Sequence, residues 1–369
     1  MNDFIPGLEL SRLFFHEAVQ PLLQRHFPHV RYAAGLMGSG SEVLGYDTPM
    51  STDHHWGPRV NLFLTPEDKV AYRQVIDFVM RDSLPYTFRG YSTNFGAPII
   101  GEGDNGTQLL TEITSGPVNH RVEMADLPSF VASYINVDLN QPLTPEDWLS
   151  IPQQKLLTLV AGGVFHDDIG LQALRDRFAY FPHDVWLYLL MAAWSRIGQD
   201  EHLAPRAGYV GDELGSAVIA GRLVSCIMQL VVLMERQYAP YAKCFGTAFA
   251  RLPHGPQLVP VLRRVQMGET WQQREEALVE AYKVLNQMHN ALQLTPVISP
   301  AVQPFHGRPF RVTNAWRYTE ALQPLIQDKR MKMIAQKSPI GSIDLYSDNT
   351  DFHEAAHLRP VLRRLYGDS

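Results

Sequence analysis

The sequence predicts an α+β fold in two parts: a mixed sheet with flanking helices over residues 1–140, then an all-helical domain over 141–369 with an irregular C-terminal tail. Three observations predict it. A length of 369 residues suits two domains. Strand-like and helix-like apolar patterns are interleaved up to about residue 136, and beyond a turn-rich stretch the spacing becomes mostly helical. The stretch itself, Asn140-Gln141-Pro142-Leu143-Thr144-Pro145, has the chemistry of a linker that ends in a helix start.

In the first part, Leu8–Phe27 places Leu10, Leu13, Phe14, Ala18, Leu22 and Leu23 at helical spacing. Val30–Met37 is short, apolar and closed by Gly38-Ser39-Gly40-Ser41, which reads as a strand entering a turn. Val60–Leu64 is a second strand, and Pro66 opens a helix carried by Tyr72, Val75, Ile76 and Val79. Leu109–Ile113 and His120–Met124 are further strands. In the second part, Thr144-Pro145-Glu146-Asp147 predicts a capped helix start. Val185–Ile197, Leu214–Tyr238 and Trp271–Leu292 are the clearest helices, with Trp186, Trp194 and Trp271 in the core.

Composition narrows the function classes. Hydrophobic residues make up 45% and charged residues 19%, as in a soluble globular protein. A net charge of −6 argues against a general nucleic-acid partner, since such affinity rests on neutralising phosphates. With two cysteines, Cys226 and Cys244, neither a disulfide framework nor a four-cysteine zinc site is expected. Low cysteine use and an N-terminus without a basic stretch point to the cytoplasm. Leu214–Met234 is apolar but holds Arg222, Ser225 and Gln229, so it reads as a buried helix and no membrane partner is expected. Cys226 reads as inert packing; beside Cys244, Lys243 favours a lowered thiol pKa.

The segment richest in chemistry runs from Gly38-Ser39-Gly40-Ser41-Glu42-Val43-Leu44-Gly45 to Ser51-Thr52-Asp53-His54-His55-Trp56-Gly57-Pro58. A Gly-Ser turn at a helix N-terminus supplies N–H donors and a hydroxyl to phosphates. Ligands at i and i+2 on a strand share one face and can share metal ions. A third carboxylate on a neighbouring strand would complete such a site. Glu123, between apolar Val122 and Met124, is favoured over Glu112.

This arrangement resembles the nucleotidyltransferase superfamily, whose signature is Gly-Ser followed about a dozen residues later by acidic-x-acidic. It resembles more closely the bacterial domain of unknown function 4037 family, which is nucleotidyltransferase-like. The shared segments include Asp147-Trp148-Leu149, Gly211-Asp212-Glu213-Leu214-Gly215-Ser216, Tyr238-Ala239-Pro240-Tyr241-Ala242-Lys243 and Arg308-Pro309-Phe310. The resemblance implies transfer of a nucleotidyl group, AMP above all, from a nucleoside triphosphate to an acceptor hydroxyl, with a small-molecule acceptor favoured. It implies that Gly40 and Ser41 hold phosphates and that Asp53, His55 and Glu123 carry a divalent metal. Lys243 and Arg206 join the nucleotide site, Asp212 and Glu213 the acceptor pocket, and Trp56 a wall. His55 departs from the acidic pattern; an imidazole is a softer donor than Mg²⁺ prefers and favours Mn²⁺.

Two other readings stand beside this one. His55 favours a non-catalytic nucleotide or ligand binder that retains the fold. His353-Glu354-Ala355-Ala356-His357 matches the His-Glu-x-x-His zinc motif and allows a zinc hydrolase, although Pro360 follows closely.

Overall fold

The fold is α+β. A computed structural model describes residues 4–53, 55–101 and 104–367. The chain divides into two units: Met1–Gln141 with Lys155–Ala179, and Pro142–Gln154 with Tyr180–Ser369.

The first unit is built on a four-stranded mixed sheet of order β7-β2-β1-β8. Its strands are β1 (Tyr32–Leu36), β2 (Arg59–Leu64), β7 (Arg121–Ala125) and β8 (Gly163–Asp167). The short strands β3 (Thr87–Phe88), β4 (Tyr91–Ser92), β5 (Ile100–Gly101) and β6 (Asp104–Asn105) form two-stranded ladders between them. β1 lies antiparallel to both neighbours and is buried throughout, whereas β2 and β7 run parallel. Side chains alternate across a sheet. Val60, Leu62, Leu64 and Val122 therefore enter a core with Leu10, Phe14, Leu23, Ile76 and Met80 from the helices on that face. Those helices are α1 (Gly7–Phe14), joined through a π-helical turn to α2 (Gln20–His26), and α3 (Pro66–Ser83). The alternate residues Arg59, Asn61 and Phe63 turn to the other face. Helix α4 (Leu127–Ile135) follows β7; Asp126 caps it by accepting from the Ser129 N–H at 2.8 Å and pairs with Lys69 at 2.7 Å.

β8 corrects the expected boundary after residue 140. Residues 155–179 return to the first unit, where Ala33 pairs with Asp167 and Leu36 with Gly163. A bulge at Ala34/Gly35 accommodates the strand, and a Cβ on Gly35 would stand 2.5 Å from the Gly163 carbonyl oxygen. The expected strand Leu109–Ile113 is reduced to a single bridge between Phe95 and Leu110.

The second unit is helical among the described residues, apart from a two-residue ladder of β9 (Gln303–Pro304) and β10 (Arg311–Val312). It begins with α5 (Pro145–Ser150), opened by the expected capping box of Thr144 and Asp147. Its core includes α6 (His183–Asp200), α7 (Glu213–Met234) and α8 (Trp271–Ala291). Trp186 and Trp194 are buried, Trp194 stacking on Tyr318 at 4.0 Å; Trp271 is half-buried. Helix α7 has the length and composition of a membrane span, yet 56% of its apolar window is buried inside the protein.

Candidate functional site

Two of the face-sharing pairs become a cavity wall. The β2–β7 register sets Arg59 opposite Arg121 and Asn61 opposite Glu123. Because i and i+2 share a face, four polar side chains project together from adjacent strands. Above them runs the loop that leaves β1. Its course is fixed by Asn61, whose Oδ1 accepts from the Met37 N–H at 3.0 Å, and by Thr158, whose carbonyl accepts from the Gly38 N–H at 2.9 Å. The open cavity between them measures about 420 Å³ and is lined by Met37–Gly40, Glu42, His55, the four strand residues, Phe130 and Tyr134. Phe130 and Tyr134 stack at 5.5 Å with planes 10° apart.

Two ion pairs organise the charge. Arg59 and Glu42 are both nearly buried, 10% and 6% exposed at the side chain, and meet at 2.6 Å. The same Nη2 of Arg59 donates to the Ser39 carbonyl at 2.7 Å, so this residue ties strand β2 to the loop. Its Nε–H is buried without a hydrogen-bond partner. Gly40 is required where it stands: φ is +143°, and a Cβ there would lie 2.5 Å from Arg59 Nη2 and 2.6 Å from Glu42 Oε2.

The second pair is more open. Arg121 donates to Glu123 Oε1 from Nε at 3.1 Å and from Nη2 at 2.5 Å, and Glu123 is 49% exposed at its side chain. Arg121 Nη1 also donates to His55 Nδ1 at 2.5 Å, and its guanidinium lies 5.6 Å from the centre of the Phe95 ring. His55 is held in a left-handed conformation, φ 49°, by exchange with Gln108: its N–H donates to the Gln108 carbonyl at 3.1 Å, and the Gln108 N–H donates to Nδ1 at 3.3 Å. Two N–H donors converge on Nδ1, which makes that nitrogen the acceptor of the ring.

Of the residues expected at the site, the structure brings Gly40, His55 and Glu123 to one cavity. Ser41 lies beside it, not on its wall. It opens a hydrogen-bonded turn, its carbonyl accepting from Tyr46 at 2.9 Å, so the expected helix N-terminus after Gly40 does not form. Asp53 is exposed at the end of a 3-10 helix, Pro49–Asp53, and does not line the cavity. The expected i, i+2 strand pair of Asp53 and His55 is absent because β2 starts only at Arg59. Among the described residues, no three His, Cys, Asp or Glu side chains gather as a metal-binding group; His54 lies outside those residues. Trp56 is not a wall. It is 1% exposed, stacks on Phe4 and donates from Nε1 to Asp47 at 3.0 Å, the same carboxylate that accepts from the N–H of Gly7 at the start of α1. Glu112 is exposed and off the wall.

Residues singled out in the second unit have structural roles or stand on its surface. Arg206 and Lys243 are exposed. Asp212 caps α7, accepting from the Gly215 N–H at 2.7 Å, and Glu213 pairs with the buried Arg274. Burial raises the Cys244 thiol pKa and outweighs Lys243, opposite to expectation; it pushes Cys226 up to about 11. The His-Glu-x-x-His segment is broken: His353 lies in the last turn of a helix, Thr350–Glu354, and His357 follows in a separate 3-10 turn, Ala356–Leu358. His353 Nε2 is 2.9 Å from the Ser347 carbonyl oxygen.

Sequence reading missed Arg59, Glu42 and Arg121. The signal was present for Arg121, since any pleat that turns Glu123 to the cavity also turns its i−2 neighbour there.

Residues 148–245 match the family described as Domain of unknown function (DUF4037), so the family resemblance read from the sequence holds over that stretch. No curated protein matches the chain. Among solved structures, a nucleotidyltransferase-like protein from Exiguobacterium sibiricum 255-15 is similar at 11% identity and a TM-score of 0.32, over 84% of this chain and 89% of that one.

Proposed function

We propose that this DUF4037-type chain binds a nucleoside triphosphate in the cavity of its first unit. We propose further that it transfers the nucleotidyl group, AMP by preference, to the hydroxyl of a cytoplasmic small molecule. The observation that carries the reading is the meeting of the Gly38–Gly40 loop with a sheet face bearing Arg59, Asn61, Arg121 and Glu123 around one cavity. Phosphate oxygens are recognised by guanidinium forks and by N–H donors in glycine-rich loops. The stacked Phe130–Tyr134 pair offers an aromatic surface for a base. A volume of about 420 Å³ is of the size that small-molecule sites take.

In the transfer, the acceptor oxygen attacks the α-phosphorus, the bond to the β-phosphate oxygen breaks, and pyrophosphate leaves with that electron pair. The hydroxyl proton passes to the Glu123 carboxylate once Arg121 has turned from it to the phosphates. Arg59 stays in place and keeps the loop on the sheet. The resemblance also implies a divalent metal on Asp53, His55 and Glu123. The residues present do not fit one in this arrangement: Asp53 is off the wall, and Arg121 stands between the other two.

That placement of Arg121 favours a second reading, nucleotide binding without transfer. Incubation of the purified chain with α-labelled triphosphates and a metabolite extract separates the two. Label moving to an acceptor with release of pyrophosphate supports transfer. Saturable binding with no moved label leaves the second reading, and no binding removes both.

A further inference from the structure

Of the three ligands expected for a metal, the fold brings two to the cavity, and one guanidinium holds both. Arg121 reaches Glu123 Oε1 at 2.5 Å and His55 Nδ1 at 2.5 Å. A divalent cation bound by the same oxygen and nitrogen would sit about 2.0–2.2 Å from each, in space the guanidinium fills with charge of the same sign. The lone pair of Nδ1 is already met by Arg121 and by the Gln108 N–H. Positive charge is thus built into the wall at the point where a metal would supply it.

The two arginines on this ladder rung differ in freedom. Arg59 is nearly buried and tied to Glu42 and Ser39. Arg121, 18% exposed at its side chain, is held by Glu123, by His55 Nδ1 and over the Phe95 ring, but its carboxylate partner is half-exposed, and ion pairs open to water are weak. A polyphosphate carrying several negative charges competes well with one solvated carboxylate for a planar fork that suits phosphate geometry. We propose that the cavity takes a polyphosphate without a divalent cation, with Arg59 as a fixed charge and Arg121 as a movable one that leaves Glu123 for the phosphates. This rests on the nucleotide reading of the cavity and deepens it.

The test is calorimetric titration of the full chain with inorganic tripolyphosphate and with ATP, in EDTA and again with Mg²⁺ or Mn²⁺. Wild type, Arg121→Gln and Glu123→Gln are compared, with circular dichroism to verify folding. Tripolyphosphate affinity in EDTA is expected to lie within about threefold of its value with metal, since the charge is already in place. Arg121→Gln is expected to weaken binding in EDTA by about tenfold or more, and Glu123→Gln, which removes the competitor, to tighten it severalfold. Should Arg121→Gln fail to fold, Glu123→Gln and the metal dependence decide alone. Binding that requires metal, or that Arg121→Gln leaves unchanged or Glu123→Gln weakens, overturns the proposal. Metal-independent tripolyphosphate binding without label transfer from ATP removes the transferase reading and keeps this one. Metal-requiring binding with transfer does the reverse, and absence of binding in every condition removes both.

Discussion

Glu42→Ala offers the sharpest probe of how the loop is held. Its carboxylate is 6% exposed and lies 2.6 Å from Arg59 Nη2, and Arg59 is 10% exposed. Removing one partner of a buried pair leaves the other charge uncompensated and costs about 3–5 kcal/mol. For a unit of roughly 150–250 residues, each kcal/mol moves the midpoint about 2–4 °C, so the Tm of the first unit should fall by about 6–20 °C. Arg59→Met should cost a similar amount by stranding Glu42. The double variant Glu42→Gln/Arg59→Met removes both charges, and replacing a whole buried pair is often near neutral, so it should recover most of the loss.

Function should not recover with it. Arg59 also donates to the Ser39 carbonyl at 2.7 Å, a bond the methionine cannot make. The double variant is therefore expected to melt near wild type yet bind tripolyphosphate more weakly, because the fixed charge of Arg59 is gone and the loop is no longer fastened to β2. Thermal unfolding followed by circular dichroism, with titration of all four proteins, checks both halves. Single variants that each lose less than about 1 kcal/mol, or a double variant that loses their sum, would refute the buried-pair account. Full binding by a stable double variant would refute both roles of Arg59, the fixed charge and the fastening of the loop.

Three further outcomes are expected. Gly40→Ala forces a side chain at φ +143° against Arg59 and Glu42; it should destabilise the first unit by about 1–3 kcal/mol and weaken tripolyphosphate binding, and an unchanged Tm and titration would contradict this. Burial pushes the Glu201 carboxyl up to about 7 even though it accepts N–H bonds from Thr313, Asn314 and Ala315. The native state then binds the proton more tightly than the unfolded chain between about pH 4.5 and 7, so this group's contribution is full below that window and is lost as pH rises through it. At about 1.4 kcal/mol per unit, wild type should lose on the order of 3 kcal/mol relative to Glu201→Gln between pH 5 and pH 8 in urea titrations, and parallel profiles would exclude it. His353→Ala and His357→Ala, on separate turns, should leave zinc uptake unchanged by metal analysis, and a stoichiometric zinc lost with either would restore the hydrolase reading.

Elements whose apolar pattern fits one period were legible. β1, β2 and β7 appear close to where Val30–Met37, Val60–Leu64 and His120–Met124 place them, and the Thr144–Asp147 box opens its helix. β8 escaped because Gly162-Gly163-Val164-Phe165-His166-Asp167 follows a helical run and has no alternating face of its own. Its place comes from β1, a partner more than a hundred residues earlier, which no local window contains. Asp53 was misplaced for the opposite reason. Its i, i+2 spacing to His55 fits strand geometry, but local turn bonds compete there: the Ser51 N–H donates to the Thr48 carbonyl at 2.8 Å, and Thr52 Oγ1 to the Pro49 carbonyl at 3.0 Å.

Arg121 differs from both cases, because the rule that selected Glu123 already contained it. Turning Glu123 toward the cavity fixes the pleat of β7, and the pleat carries residue 121 to the same side. The apolar alternation Val60, Leu62, Leu64 likewise fixes Arg59 and Asn61 on the outer face of β2. The presence of two arginines and one carboxylate on that face thus follows from periodicity. The pairing of the arginines does not. Arg59 finds Glu42 because the loop after β1 folds back over the sheet, and Arg121 finds His55 because Gln108 holds that residue's backbone in place. Both depend on loops whose course is set by a few long-range bonds, Met37 to Asn61 and Gly38 to Thr158 for one, His55 to Gln108 for the other. His55 and Glu123, two of the three expected ligands, therefore identify the cavity but not what neutralises it; that is decided by which cation the loops leave nearest. Here it is a guanidinium, and the strand pattern alone could place it on the wall without showing that it spans the two ligands.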